Sequence, residues 1–575
     1  MARYFFSIFL FLNFSLLAQA PKTTILRNVS LVALGGNPEM RGQDIFIQGE
    51  KITAIRPTGR ALPADALVIE CANKWALPGL IDTHVHVARR DLRWPEDEQE
   101  FIELLASGIT SVLDLGGRLQ TLKDIKKRSQ TQEWIGPRVY HCGYPLLSER
   151  VAGLDSATQR LIVQNANEAK AAVRQLKKDG VDAIKIDLNV PPDLTKAAID
   201  EAHAQSLLAI GHLAATSYQE AAKARIDILE GASGLVTDYI GAGDRKELAQ
   251  RWFPTYLMAW QKVEIDKNAR SKMQFLAKNA IFFTPTLAHE LAVLQNDIST
   301  RQAPLAEQVA QKFTSMLRLA FDLQVPLLAG SGYDIHKNDR VTLHEELESW
   351  IAAGLEPRFA IEAATTNASH ALRLSDRLGV LASGMLADIV VVNDNPVTNI
   401  KTLREPALVI RNGKLHRIEE FKKRLRPHRA DEREIRAVLQ LQERAWNEFD
   451  IDRFMRGYWK NDSTVFASGG ETTRGWTEML SRYKKSYNTT EKMGQLNFNV
   501  QQIEFMGEAW AKVLAEWRLM PKGRTSNGAA SPMSRGLFTL IFRRVPEGWK
   551  IVHDHTSAAS APPSAPEQPA AKKKK

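Results

Sequence analysis

Cysteine is scarce in this chain, and long apolar runs are absent after its first twenty residues. Only Cys71 and Cys142 occur among 575 residues, which excludes a disulfide-stapled scaffold. Whether these two form one bridge cannot be judged from sequence. Because no later segment is long and apolar enough to cross a bilayer, we expect no stable membrane span once a leader is removed.

The chain also lacks a basic face of the kind that nucleic-acid-binding domains present. Its net charge is +10, but much of the excess lies in Lys572–Lys575 and in the stretch Arg417–Arg429. The remainder is close to neutral, so a solvated tail and a linker account for the charge, and we expect no nucleic-acid partner.

The size of the chain allows more than one core. With 575 residues, of which 44% are hydrophobic, we expect a barrel-sized domain and at least one smaller domain.

The first twenty residues have the order of an export signal. Arg3 precedes an apolar core at Tyr4–Leu17, and Ala18–Ala20 offers small residues for cleavage. We therefore predict a signal peptide over 1–20 and a periplasmic or secreted protein. The alternative is an uncleaved membrane anchor.

Eight short runs rich in β-branched residues alternate with amphipathic stretches such as Glu168–Lys178 and Leu194–Gln205. This alternation predicts an α/β fold, a (β/α)8 TIM barrel over 77–383, whose functional groups lie at the carboxyl ends of its strands. The runs are Leu80–His84, Thr110–Leu115, Arg138–Gly143, Asp182–Leu188, Leu207–His212, Ile226–Glu230, Ile281–Thr286 and Val325–Gly330.

Two β-rich pieces flank the predicted barrel, at 22–76 and 384–418. Neither buries an apolar face alone, so we predict that they pair into a small composite β-sandwich domain. A basic linker over 419–430 then leads to an independent unit over 431–557. The tail 558–575 is rich in Pro, Ala, Ser and Lys and lacks the apolar content to fold.

The segment Leu77–His86 ends the first predicted barrel strand with two imidazoles two residues apart. Side chains alternate between the faces of a strand, so His84 and His86 point the same way and can hold one metal ion. A purely structural pair is the alternative.

In several motifs and their order, residues 22–418 resemble the imidazolonepropionase-like metal-dependent amidohydrolases. This resemblance implies a barrel with a small composite sheet domain, a divalent metal, and hydrolysis of amide-type C–N bonds in a small-molecule substrate. The motifs are Leu77–His86, Gly108–Gly116, Ala183–Ile186, Gly211–His212, Leu343–Leu347, Ala363–Ala368 and Gly384–Val391.

The resemblance assigns four metal-ligand positions. His84 and His86 match the ligands of strand one, Lys185 stands where such enzymes carry a CO₂-modified lysine, and His212 matches the strand-five ligand. A carbamate suits this role because it is anionic and offers oxygen, whereas a free ammonium repels a cation. We favour one zinc over two metals. The alternatives are a salt-bridged Lys185 and a core His212.

Two positions depart from the family pattern. Gly231 replaces the strand-six histidine, and Gly332 replaces the strand-eight aspartate that ordinarily accepts the proton of the attacking water. Asp334 is the predicted substitute, because it lies two residues beyond Gly332 and faces the same way if the strand continues. A loop-capping carboxylate is the alternative, and Glu230 and His336 are weaker substitutes.

Residues 431–557 resemble the SnoaL-like, nuclear transport factor 2-like group, through Ala445–Asp450, Gly536–Phe542 and Gly548–Ser557. The resemblance implies an α+β cone-like domain, often dimeric and sometimes with a ligand pocket, so a homodimer through this domain is one prediction. His553 and His555 have the spacing of a metal pair, but a hydrogen-bonded strand end is the preferred interpretation.

Three functions remain open at this point. The leading one is an exported amidohydrolase that attacks a cyclic amide or dipeptide-like substrate with metal-bound hydroxide. The second is a degenerate barrel that binds a small ligand without turnover, as Gly231 and Gly332 suggest. The third gives the carboxyl-terminal unit the main role, as a dimerisation or ligand module.

Overall fold

A computed structural model of the chain describes residues 23–94, 97–131, 133–150, 160–250, 252–296, 298–335, 337, 341–520 and 533–558. The predicted signal peptide, His336 and all but the first residue of the predicted tail lie outside these ranges. Within them, no helix is both long and apolar enough to cross a membrane.

The strands, numbered in chain order, are β1 (Thr24–Leu31), β2 (Met40–Gln48), β3 (Lys51–Pro57), β4 (Leu67–Glu70), β5 (Trp75–Pro78), β6 (Leu80–His86), β7 (Ile109–Asp114), β8 (Arg138–His141), β9 (Leu146–Leu147), β10 (Leu161–Ile162), β11 (Ala183–Ile186), β12 (Leu208–Gly211), β13 (Ile228–Glu230), β14 (Phe282–Thr284), β15 (Tyr333–Asp334), β16 (Ile389–Val392), β17 (Leu408–Arg411), β18 (Lys414–Arg417), β19 (Val465–Ser468), β20 (Glu471–Arg474), β21 (Gln495–Phe505), β22 (Trp510–Met520), β23 (Ser534–Val545) and β24 (Gly548–Thr556).

The α-helices are α1 (Glu98–Ala106), α2 (Leu119–Ser129), α3 (Ala166–Lys178), α4 (Pro192–Ala204), α5 (Tyr218–Lys223), α6 (Ala242–Gln250), α7 (Trp252–Gln261), α8 (Lys267–Lys278), α9 (Leu287–Asn296), α10 (Ala303–Asp322), α11 (Leu343–Ala352), α12 (Pro357–Ala363), α13 (Thr366–Ala371), α14 (Ile418–Arg424), α15 (Arg429–Asn447), α16 (Ile451–Phe454), α17 (Trp476–Ser486) and α18 (Thr490–Met493).

The central domain is a barrel of parallel strands. β6, β7 and β8 pair in order, as do β11, β12, β13 and β14. The Asp182 amide donates to the His141 carbonyl between β8 and β11 at 2.9 Å. The predicted eighth strand is irregular: Leu327 bridges Phe283, and β15 then pairs with the end of β6. The predicted TIM-barrel-like fold is thus present.

Local signals fix the barrel helices. Asn165 caps α3 by accepting from the Glu168 amide at 3.0 Å, and α4 begins at Pro192, whose ring presets the backbone for a first helical turn. Both helices bury one apolar side against the strands.

The two flanking pieces share one eight-stranded sheet, in the order β18-β17-β16-β5-β1-β2-β3 with β4 beside β1. The junction is antiparallel, with Leu77 opposite Val390. A compact core beneath it includes Leu26, Ile45 and Ile389, all fully buried.

The predicted basic linker is partly helical. α14 buries Phe421 against Ile102 and Leu105 of α1, and α15 begins at Arg429. The charge of this stretch therefore surrounds a helix that packs on the barrel.

The carboxyl-terminal domain is a six-stranded sheet in the order β20-β19-β24-β23-β22-β21. Helix α15 packs across it, and a second core forms around Trp446, Phe542 and Trp549.

Candidate active site

The two imidazoles at the end of β6 converge on one point. The Nε2 atoms of His84 and His86 are 3.4 Å apart, with the rings nearly perpendicular at 80°. On its far side, His86 Nδ1 lies 3.3 Å from the Gly116 carbonyl oxygen. Burial and nearby positive charges hold the pKa of both rings well below the ordinary value. Both rings are therefore neutral at physiological pH, with a nitrogen lone pair available to a cation.

Buried carboxylates fix the backbone around this pair. Asp82 accepts from the Ser331 amide at 3.0 Å and from the Ser331 hydroxyl at 2.6 Å. Asp114 accepts from the amides of Val87 and Gly116, at 2.6 and 2.8 Å. Burial raises the pKa of both carboxyls to about 6. Asp114 thus supports the histidine strand, the role that its position at the end of β7 predicts.

Lys185 forms a buried ion pair with Glu230, from the ends of β11 and β13. The other carboxylate oxygen of Glu230 is 3.0 Å from His84 Nδ1, although the two atoms are not aligned as a hydrogen bond. Burial lowers the pKa of the Lys185 amine to about 8, with Asp187 acting in the opposite sense. Lys185 therefore has the salt-bridged arrangement that was the alternative to a carbamate. The carbamate itself stays a prediction.

His212 lies beside the gap left at Gly231. Gly231 has a φ of 84°, and a Cβ there would lie 3.1 Å from His212 Nε2 and 3.4 Å from Glu290 Oε1. Glu290 belongs to α9, and the Ser233 hydroxyl and amide both donate to it. Burial raises the pKa of Glu290 to about 7. Burial and the nearby charge of Lys185 lower the pKa of His212 to about 3.

The second gap, at Gly332, faces another residue of α9. Gly332 has a φ of 68°, and a Cβ there would lie 3.1 Å from His289 Cγ and 3.3 Å from His289 Nδ1. The extended backbone is therefore interrupted at Gly332, so strand alternation counted from Gly332 does not predict which way the Asp334 side chain faces. Asp334 pairs in register with His86, and its carboxylate lies 3.2 Å from Arg89 Nε.

The side chains present fit a cation in part. Among the residues that the structure describes, no three His, Cys, Asp or Glu side chains are arranged as a complete metal site. His84 and His86 supply two converging nitrogens, whereas Glu230 lies on the Nδ1 side of His84, so the family resemblance leaves a CO₂-modified Lys185 as the third donor. This favours one cation, not two.

The other histidines lie elsewhere. His141 is fully buried on β8, with neither ring nitrogen hydrogen-bonded, and burial lowers its pKa to about 3. In the carboxyl-terminal domain, His553 and His555 flank Asp554, which the Tyr458 hydroxyl and the Thr556 hydroxyl both reach, at 2.6 and 2.7 Å. A cavity of about 340 Å³ adjoins Asp554, and nine of its nineteen lining residues are aromatic.

Sequence reasoning assigned no catalytic role to His289, and it missed Glu290 and Arg89. The available signal was the pair His289–Glu290 directly after strand seven, where barrel enzymes place functional groups. What the sequence did not reveal is that this pair adjoins both glycine gaps.

Comparison with known proteins agrees with this geometry. The amidohydrolase family model matches residues 75–416. The chain belongs to the amidohydrolase family. A SnoaL-like domain model matches residues 435–561, so the predicted combination of the two domains is confirmed. Amidohydrolases generally use a divalent metal, in line with the histidine pair.

Similar proteins differ in what they act on. The amidohydrolase domain is similar to adenine deaminase 1 of Latilactobacillus sakei, with 22% identity over 411 residues, 67% of this chain and 57% of the relative. It is similar over a shorter stretch to an enamidase of Eubacterium barkeri, with 31% identity over 97 residues, 16% of this chain and 25% of the relative. The chain thus matches little more than half of the deaminase.

Solved structures share the fold of the amidohydrolase domain. A Xaa-Pro dipeptidase superposes with a TM-score of 0.55 at 21% identity, covering 69% of this chain and all of that one. A putative prolidase from Bifidobacterium longum gives 0.54 at 21% identity, covering 71% of this chain and all of that one. At such identity the likeness establishes the fold alone.

Proposed function

We propose that this protein hydrolyses an amide-type C–N bond of a small molecule, a cyclic amide or a dipeptide-like compound, with one zinc ion at the barrel mouth. The observation that carries the proposal is the convergence of His84 and His86 Nε2 at 3.4 Å, on neutral rings. Membership of the amidohydrolase family supports the reaction class.

The residues around the zinc position have separate tasks. When bound, zinc would lower the pKa of water toward about 7 and polarise a carbonyl group. Asp114 and the Gly116 carbonyl oxygen hold the His86 end of the strand, and Asp82 fastens His84 to the strand-eight loop through Ser331. A carbamate on Lys185 would add an oxygen donor, provided that Glu230 gives up its present partner.

The experiment is a metal measurement on purified protein. We expect about one equivalent of zinc, lost in the double variant His84→Ala/His86→Ala, together with hydrolysis of members of a panel of dipeptides, N-acyl amino acids and cyclic amides. Wild-type protein that takes up no zinc, with stability unchanged in the double variant, contradicts the proposal.

A second candidate is a barrel that binds a ligand without turnover. It is favoured by the Lys185–Glu230 ion pair, which occupies the potential third donor, and by the two glycine gaps. Stabilisation by a panel compound without product formation supports this candidate. Product formation that depends on His84 and His86 rules it out.

The carboxyl-terminal domain is proposed as a homodimerisation module, and the protein as exported. Support for the first comes from large apolar side chains exposed on neighbouring strands, Trp510 and Met520 on β22 and Leu537 on β23. Sedimentation of the wild type and of Leu537→Lys tests it: a dimer that the substitution splits is the expected result, and a monomeric wild type contradicts it. Export is tested by fractionation of cells that carry the chain with and without residues 1–20.

A further inference from the structure

Two amidohydrolase positions at the barrel mouth carry glycine, and one helix faces both of them. A Cβ added at Gly332 would lie against the His289 imidazole. A Cβ added at Gly231 would lie against His212 Nε2 and Glu290 Oε1. Two adjacent residues of α9 thus stand against the places where the family pattern has an aspartate and a histidine.

Helix α9 is held firmly in this position. The buried carboxylate of Glu346 accepts from the amides of Leu287 and Ala288, at 2.8 and 2.7 Å, and from Trp350 Nε1 at 2.9 Å. These contacts satisfy amides of the first helical turn, which have no partner within the helix itself. The direction of the helix is therefore fixed from a buried anchor.

The end of strand six is fastened to the start of the same helix. The Gly231 amide donates to the Thr284 carbonyl oxygen at 2.8 Å, and the Ala232 amide donates to that of Pro285 at 2.9 Å. Ser233 then donates to Glu290 through its amide and its hydroxyl. The glycine gap and the carboxylate that faces it are therefore held in one rigid arrangement.

His289 and Asp334 differ as possible proton acceptors. The Asp334 carboxylate lies 3.2 Å from Arg89 Nε, and the Asp334 side chain is 4% exposed. His289 is half-buried, and its ring lies 3.1 Å from the position that a Cβ would take at Gly332.

We propose that α9 supplies the proton acceptor missing at Gly332, with His289 as the catalytic residue whose imidazole lies beside the vacated position. The proposal rests on the hydrolase function above. In the reaction, water gives a proton to His289 while its oxygen bonds to the carbonyl carbon. His289 then returns that proton to the departing nitrogen as the C–N bond breaks, and becomes neutral again.

Chemical rescue tests the role of His289. With a panel compound that the wild type hydrolyses, we expect His289→Gly to lower kcat by about 10²–10⁴-fold, and added imidazole to restore part of it through the space beside Gly332. Gln295→Gly is the matched control, since it places glycine at an exposed position of the same helix. We expect it to keep wild-type kcat with or without imidazole.

The occupancy of the vacated place is tested by stability. A side chain at Gly332 would press on His289, so Gly332→Asp should lower Tm more in the wild type than in a His289→Ala background. Equal shifts in both backgrounds contradict the assignment of that space to His289.

The outcomes distinguish a failure of the His289 role from a failure of the proposed hydrolase function. Hydrolysis retained by His289→Gly but lost in Asp334→Asn overturns the role of His289 and leaves the proposed function intact. A wild type without turnover of any panel compound overturns the proposed function, and the catalytic role of His289 with it.

Discussion

The carboxyl-terminal domain is attached to the barrel through a buried charge cluster, and removal of one arginine should loosen it. Arg429 at the start of α15 forms an ion pair with Glu100 of α1, whose other oxygen accepts from the Tyr333 hydroxyl at 3.0 Å. Arg429 also lies 3.3 Å from Glu103, which Arg433 contacts at 2.5 Å. The Glu100 side chain is only 5% exposed.

The substitution Arg429→Met keeps the apolar stem but leaves the Glu100 charge without its arginine partner. Removal of one member of a buried pair costs about 3–5 kcal/mol. We expect about 3 kcal/mol here, because Tyr333 still donates to Glu100 and Arg433 still neutralises Glu103. The assay is urea unfolding of the full chain, together with the rate of proteolysis between 419 and 430.

The control lies on the same helix. Arg436 pairs with Glu432 one turn away, with both side chains about a third exposed, so Arg436→Met should cost about 0.3–0.5 kcal/mol. Adding Glu100→Gln to Arg429→Met should recover much of the loss, since it removes the stranded charge. Equal stability of the two methionine variants refutes the reasoning.

Three further predictions concern stability and assembly. His141 has a pKa of about 3 in the fold and about 6.5 when unfolded, so the unfolded state binds more protons between these values, and stability falls as pH drops below 6.5. His141→Leu should remove about 2 kcal/mol of the loss between pH 7.5 and 5, read from urea midpoints at both pH values, and an unchanged pH dependence contradicts this. Gly413 has a φ of 71°, and a Cβ there would overlap the Gly49 carbonyl oxygen. Gly413→Ala should therefore lower the free energy of unfolding in urea by at least about 2 kcal/mol. A near-neutral result would show that the turn can move, and it contradicts this prediction. Truncation after Arg424 should abolish dimers in sedimentation while zinc binding persists, and loss of zinc would show that the barrel depends on the missing domain.

The repeating pattern of the barrel was readable because burial imposes it on every strand. The first seven predicted runs overlap β6, β7, β8, β11, β12, β13 and β14, with ends that differ by a few residues, whereas the short strands β9 and β10 were not predicted. The eighth strand was less regular than expected. Gly332 adopts a positive φ, and hydrogen bonding along that segment passes from one neighbouring strand to the other.

In the candidate site, too, the features set within one strand were predictable and those set by distant contacts were not. Alternation within one strand predicted that His84 and His86 face together, and their ring nitrogens do converge. The partner of Lys185 and the surroundings of the glycine gaps depend on contacts between distant segments. No local pattern encodes the direction of α9. The helix begins after Thr286, which has a φ of 47°, and its first amides donate to the carboxylate of Glu346, about sixty residues later in the chain.

The composite sheet has a consequence for synthesis of the protein. Leu77 of β5 is matched with Val390 of β16, so one edge of β5 stays open until the whole barrel segment has left the ribosome. At about 5–20 residues per second, that interval is on the order of 15–60 s. During this time a hydrophobic edge is exposed to neighbouring nascent chains. Chaperone demand should accordingly peak late in translation and fall once the strand around Val390 emerges.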